Sequence, residues 1–125
     1  MATSMKQPGE VIDYTAGADI ASGDVVVIGG NGEAILGVAI TDIANGSTGA
    51  VAISGVFTLP KVTAAVIGQG ESLVWDSSAG AFDDNQAVAA SGDVSGGAAV
   101  AFAAADNGAT TVDVKLTGVP GTLTA

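Results

Sequence analysis

The stretch from Asn45 to Lys61, NGSTGAVAISGVFTLPK, constrains the fold most, because it reads as one long strand between a turn and a proline. Asn45-Gly46 is a hairpin signal, since both residues tolerate the positive φ of a type I′ turn. The residues from 50 to 59 alternate between a face of bulky side chains and a face of small ones. Pro60 ends the strand because proline cannot donate to a ladder. We therefore predict a central strand that packs a core with one face.

The same pattern returns near the C-terminus. The stretch NGATTVDVKLTGV at 107–119 resembles the stretch at 45–56. The stretch at 22–27 resembles the one at 69–74, because each has a glycine turn, then an acid, then a strand. Two interpretations stay open. The chain consists of two related β-meanders, the second lengthened between Trp75 and Gly97, or it reuses turns that are common to small β-proteins.

The remaining pattern predicts an all-β fold, a small antiparallel β-barrel or β-sandwich of short strands with Asn-Gly and Gly-rich turns. Residues 10–125 are expected to form a single β domain, and residues 1–9 a flexible N-terminal arm. Further strands are predicted at 10–15, 24–28, 33–40, 73–76, 98–104 and 111–117, with short edge strands at 82–85 and 86–90. Residues 61–67 read as a helical turn or an irregular crossing, and residues 118–125 as a tail.

Composition excludes several classes of function. The chain has no cysteine and no histidine, so Ser-His-Asp and Cys-His nucleophile systems and thiolate metal sites are excluded. The net charge of −10, from thirteen acids against three lysines, gives no basic patch for nucleic acid. The longest apolar run, Ala98 to Ala105, is too short to span a bilayer. We expect no catalytic residue, no cofactor, no metal, no nucleic-acid partner and no membrane partner.

Three short stretches resemble known functional motifs, and none of them is interpreted as a functional site. Gly55 to Val62 has the length of a phosphate-binding loop, but Pro60 replaces the second glycine and Val62 replaces the metal-binding hydroxyl. Asp83-Asp84 lacks the ligand spacing of a calcium loop and reads as a solvated turn. Asn45-Gly46-Ser47 fits a glycosylation sequon, for which a hairpin turn is the preferred interpretation.

The order of several motifs resembles the small capsid decoration (cement) proteins of tailed phages. The matching stretches are SGDVV at 22–26, LGVAITD at 36–42, residues 51–61 ending in GVFTLPK, QGE at 69–71, VWD at 74–76 and GATTV at 108–112. The resemblance runs from about Pro8 to Gly118. Members are often labelled phage recombinases, but the acidic charge and the failed phosphate loop argue against that activity.

The resemblance implies a non-enzymatic virion protein on the outer surface of the capsid, made in the host bacterial cytoplasm. Its implied partners are the major capsid protein, whose contacts it stabilises, and further copies of itself, with a trimer preferred over a dimer. We expect the arm to make the capsid contact by strand addition. Candidate interface residues are Met1, Met5, Lys6, Gln7 and Pro8 in the arm, and Leu59, Pro60, Lys61 and Trp75 in the matching stretches.

An alternative function is a binding module on the virion surface that recognises a carbohydrate or the host surface. Sugar platforms use several aromatic side chains, and this chain has one Trp, one Tyr and three Phe, most of them at predicted inward positions. The aromatic content therefore disfavours the alternative without excluding it.

Overall fold

In the computed structural model, which describes residues 10–125, these residues form eleven β-strands and no helix. The strands are β1 Val11–Thr15, β2 Val25–Gly30, β3 Glu33–Ala39, β4 Thr48–Ala52, β5 Gly55–Pro60, β6 Val74–Asp76, β7 Ala81–Asp83, β8 Val94–Ser95, β9 Ala99–Ala101, β10 Thr111–Leu116 and β11 Gly121–Leu123.

The strands make two antiparallel sheets. Seven strands of the larger sheet follow the order β1-β4-β3-β11-β8-β6-β7, and β2 pairs with β3 outside this path. The smaller sheet has the order β5-β10-β9, and one of the two sheets curls into a half-barrel. The predicted all-β antiparallel class is confirmed.

The long strand predicted after Asn45 is two strands in different sheets, so its prediction as one central strand is wrong. β4 pairs with β1 and β3 in the larger sheet, whereas β5 lies at one end of the smaller sheet. The chain leaves the strand conformation at Ile53 and Ser54 and resumes at Gly55, whose φ is +119°. Glycine adopts that φ readily, whereas other residues are strained by it. The chain therefore changes sheets at Gly55, although the alternation of side chains in the sequence continues through the change. The strand ends at Pro60, as predicted.

The Asn-Gly pairs form turns of two kinds. Asn31 and Gly32 have φ values of 58° and 83° and join β2 to β3 as a two-residue hairpin, with the geometry of a type I′ turn. At Asn45-Gly46 only Gly46 has a positive φ, 82°, and Ser47 donates its N–H to the Ala44 carbonyl at 2.9 Å. This second turn has type II character, so its assignment as a type I′ hairpin turn is wrong.

The hydrophobic core consists of two clusters. The larger lies between the sheets and takes residues from both, among them Leu36, Leu59, Trp75, Phe82, Val94, Val114 and Leu116. The smaller cluster contains Ala16, Val26, Ala39, Ile43 and Val51, with Ile28 packed against it. In β2, Val25 and Val27 pack against the larger cluster while Val26 lies in the smaller one. Both faces of β2 are therefore covered, in agreement with its uninterrupted apolar sequence.

Backbone hydrogen bonds repeat between the two halves of the chain. Ile20 and Ile43 exchange two bonds of 2.8 Å, and Ile67 and Ala105 exchange two bonds of 2.8 and 2.9 Å. Next to these pairs lie matching bonds, from Gly23 to Ala39 O and Ala39 to Asp24 O in the first half, and from Gly70 to Ala101 O and Ala101 to Glu71 O in the second. Matched bonds at matched sequence positions favour two related β-meanders over chance reuse of turns.

The second copy is longer because a segment with β7 and β8 is inserted between Trp75 and Gly97. The predicted edge strand at 82–85 corresponds to β7, but residues 86–90 are turn and irregular structure, so the second edge strand is absent. The short strand β8 at Val94–Ser95 is not among the predicted strands.

The C-terminal residues are not a tail. β11 pairs with β3 and with β8, so it closes the larger sheet in the middle of the strand order. Gly121 is buried there, and a Cβ on it would overlap the Ser95 carbonyl oxygen. The sequence signal for a strand is weak here, because β11 has only three residues. It also begins with a glycine, which the close approach of the Ser95 carbonyl requires.

Candidate interaction surface

Five of the nine predicted contact residues lie in the N-terminal arm. Met1, Met5, Lys6, Gln7 and Pro8 fall outside the described residues. Their contact with a partner, and the division into an arm and one domain, stay predictions. The described chain begins next to β1, the end strand of the larger sheet.

Three of the other four predicted contact residues are consecutive at the end of β5. Leu59 is buried in the larger core cluster, and Pro60 is exposed. Lys61 is 4% exposed, and its ammonium donates to the carbonyls of Val62 at 2.7 Å, Thr63 at 3.1 Å and Ala109 at 3.2 Å. An ammonium has three donors, so these bonds use all of them. Lys61 therefore fastens the loop after β5 and has no free donor for a phosphate.

Trp75 lies on β6 and is 8% exposed. Its ring meets Phe82 edge to face, with centroids 5.0 Å apart and planes at 61°, a favourable aromatic geometry. Trp75 and Pro60 line the same cleft of about 220 Å³, whose other lining residues are Gly23, Asp24, Val25 and Gly80. The structure thus brings these two predicted contact residues together and turns Leu59 and Lys61 inward.

A larger and shallower groove of about 460 Å³ runs between two loops of the first copy. Its rim carries Asp19, Asp24 and Asp42. Each carboxylate accepts a backbone N–H, from Asn45 at 2.8 Å, Ala21 at 3.0 Å and Ser22 at 2.8 Å respectively. The acids therefore cap turns, and residues 10–125 contain no cluster of acids suited to a metal ion.

Asp83 and Asp84 also serve a turn. Asp83 accepts the N–H of Asp84 at 2.8 Å, and Asp84 accepts the N–H of Gln86 at 2.9 Å. The solvated-turn interpretation of this pair agrees with these bonds.

Several apolar side chains are exposed, and sequence analysis missed them as contact candidates. They are Val11, Ile40, Val56, Val66, Val88, Phe102 and Val119. Ile40 ends the predicted strand at 33–40 and Phe102 lies within the predicted strand at 98–104. Alternation alone does not separate these two side chains from the core. Helices capable of crossing a membrane are absent from the described part of the chain.

A family comparison decides the class of protein. The family described as "Phage cement protein" matches residues 6–116 of the 125 residues. The chain belongs to the phage cement protein family. Its role is therefore structural, as a capsid decoration or cement protein of a bacteriophage virion. A search of curated proteins found no match. The alternative of a carbohydrate or host-surface binding module is not favoured.

The cement family gives the surface features a context. A cement protein needs binding area on the capsid rather than a pocket with reactive groups. The carboxylates of Asp19, Asp24 and Asp42 accept backbone N–H groups of turns, whereas Ile40, Phe102 and the other exposed apolar side chains offer apolar area. The exposed apolar side chains are therefore the feature of this cement protein that is suited to contact with the capsid.

Proposed function

We propose that this cement protein adds to the outer surface of the assembled head and clamps neighbouring major capsid proteins against the pressure of the packaged DNA. The observation that carries the proposal is the family match over residues 6–116. Clamping needs buried area and no chemistry, and stable interfaces bury on the order of 1,600 Å² in total. We accordingly propose that the protein is not an enzyme.

The net charge of the protein supports a location on the outer rather than the inner surface of the capsid. The net charge is −10, and among residues 10–125 Lys115 is the cationic side chain that reaches solvent, because Lys61 is buried. An anionic protein inside the shell would be repelled by DNA phosphates. We propose that the protein has no nucleic-acid partner and no membrane partner, and that it is made in the host bacterial cytoplasm.

A homo-oligomer on a capsid symmetry axis fits the proposed role, and a trimer is preferred over a dimer. Copies held together around an axis bind the lattice through several contacts at once, which raises the avidity without a stronger single contact. The arm residues Met1, Met5, Lys6, Gln7 and Pro8 are proposed to contact the capsid by strand addition. Pro60 and Trp75, which share a cleft, are proposed as a second contact, supported by Leu59 and Lys61 behind it.

The test uses heads that lack the protein, with purified full chain added back. The full chain is expected to bind, and the decorated heads are expected to withstand a higher temperature before they release DNA. Deletion of residues 1–7 is expected to leave a folded protein that no longer binds. Binding by the truncated form at wild-type affinity would refute the role of the arm, and a full chain that does not bind would refute the proposed function.

A further inference from the structure

Ile40 and Phe102 are large apolar side chains at equivalent positions of the two internal copies. Ile40 directly follows Ala39 and Phe102 directly follows Ala101, the residues that share the repeated hydrogen-bond pattern. The exposed fraction is 47% for Ile40 and 53% for Phe102. A single exposed apolar residue is ordinary, whereas the same exposure at both equivalent positions points to a shared use.

The backbone beneath each side chain is held in the same way, through its N–H by a neighbouring strand and through its carbonyl by a turn side chain. The four bonds run from Ile40 N–H to Ala50 O (3.1 Å), from the Ser22 hydroxyl to Ile40 O (2.9 Å), from Phe102 N–H to Asp113 O (2.8 Å) and from the Gln69 amide to Phe102 O (3.2 Å). Both side chains therefore stand on a backbone that is already ordered, which lowers the entropy cost of docking them.

An acidic residue adjoins each of the two backbone positions. Asp42 is two residues beyond Ile40 and accepts the Ser22 N–H at 2.8 Å. Asp113 lies across the strand pair from Phe102 and accepts the Thr58 hydroxyl at 2.7 Å. A different residue supplies the acid in each copy, and an apolar recess with a basic rim would complement both positions.

We propose that Ile40 and Phe102 are two equivalent anchors, which dock in the same apolar, basic-rimmed recess on two neighbouring copies of the major capsid protein. This inference rests on the proposed function. A capsid lattice presents one protein many times, so a chain with a repeated anchor can hold two neighbours at once. Each chain would then bridge a capsid contact by itself, whatever its own oligomeric state.

The experiment titrates purified protein onto heads that lack it, and compares the wild type with Ile40→Ser, Phe102→Ser and the double variant. Val88→Ser is the matched control, because Val88 is 93% exposed and lies in the inserted segment, which has no counterpart in the first copy. Phe102→Leu and Ile40→Leu keep an apolar anchor and serve as rescue variants. Circular dichroism and the unfolding midpoint establish that each variant is folded.

Each single Ser substitution is expected to weaken binding about ten- to a hundredfold, because it removes one apolar anchor and the avidity of the pair. At a concentration high enough to saturate the heads, each single variant is expected to raise the temperature of DNA release only slightly. A chain with one anchor cannot bridge two copies of the major capsid protein. Leu variants and Val88→Ser are expected to bind as wild type does.

The inference is overturned if the two single Ser variants bind and protect like wild type, if only one of the two positions matters, or if Val88→Ser weakens binding as much. Wild-type protein that fails to bind heads would instead overturn the proposed function. If a Ser variant does not fold, the Thr variant at the same position, Ile40→Thr or Phe102→Thr, replaces it. Weakened binding by the Thr variant together with wild-type binding by the Leu variant supports the anchor, and wild-type binding by the Thr variant refutes it.

Discussion

Asp93 accepts two hydrogen bonds from Ser77, through the backbone N–H at 3.0 Å and through the hydroxyl at 3.1 Å, although Asp93 is only 4% exposed. Its second carboxylate oxygen accepts the Ala90 N–H at 2.9 Å, and its carbonyl accepts the Thr124 N–H at 3.0 Å. Asp93 therefore joins the inserted segment, the end of β6 and the C-terminal residues.

Replacing Asp93 by Ala is expected to lower the free energy of unfolding by about 2–4 kcal/mol, because hydrogen bonds to a charged group are lost and backbone donors are left unpaired. Urea unfolding of the purified protein measures the change. Asp113→Ala is the matched control, since Asp113 is only partly buried, and we expect it to cost under about 1 kcal/mol. Equal costs at the two positions would contradict the role of Asp93.

Replacing Lys61 by Met is expected to lower the free energy of unfolding by about 1–3 kcal/mol, because three carbonyls lose their donor in a buried site. The same substitution at the exposed Lys115 is expected to change it by less than about 0.5 kcal/mol. Thermal unfolding with and without ATP adds a second readout. A midpoint that ATP raises in the wild type but not in Lys61→Met would show that the ammonium is available to phosphate.

The pKa of Asp76 lies below its ordinary value of 3.8, chiefly because the Ser78 hydroxyl donates to the carboxylate, with the Ala79 N–H as the next cause. A lowered pKa in the folded state stabilises the protein above pH 3.8 and loses this effect as the pH falls through the folded value. Ser78→Ala is expected to raise the pKa of Asp76 and to cost under about 1 kcal/mol at pH 7.

The stability difference between wild type and Ser78→Ala is therefore expected to shrink below pH 3.8. Unfolding at pH 7 and at pH 3, with an NMR titration of the Asp76 carboxyl carbon, measures both quantities. A difference that grows on acidification would contradict this assignment of the pKa shift.

Deleting residues 120–125 is expected to destabilise the fold, because it removes β11 and exposes the edges of β3 and β8. Gly121→Ala is a smaller change, and we expect it to cost about 1–3 kcal/mol through overlap with Ser95. Gly97→Ala is the control, since a Cβ there meets nothing within 4 Å. Thermal unfolding measures all three, and a truncated protein as stable as wild type would mean that the C-terminal residues are a tail after all.

Much of the fold was predictable from local pattern. In the predicted strand at 111–117, alternation places Val112, Val114 and Leu116 on one face, and all three are buried. Asn31-Gly32 forms the two-residue hairpin that an Asn-Gly pair favours. The change of sheet at Ile53 and Ser54 was not predictable, because alternation on both sides of a kink reads as one strand. The change depends on tertiary pairing, which the local sequence does not record.

The candidate contacts were predictable only in part. Pro60 and Trp75 come from distant stretches and meet in one cleft, but the burial of Lys61 could not be read from the sequence, since lysines are almost always exposed. The equivalence of Ile40 and Phe102 is readable from the sequence, since Ile40 precedes Asn45-Gly46 by the same spacing as Phe102 precedes Asn107-Gly108. The exposure of both side chains is not readable, because it depends on how the sheets pack.

The central claim is that this chain is a cement protein that covers the assembled head. Quantitative mass spectrometry of purified virions, with the copy number counted against the major capsid protein, tests it most directly. We expect a copy number close to that of the major capsid protein. Absence of the protein from particles that otherwise contain their full set of head proteins would contradict the claim.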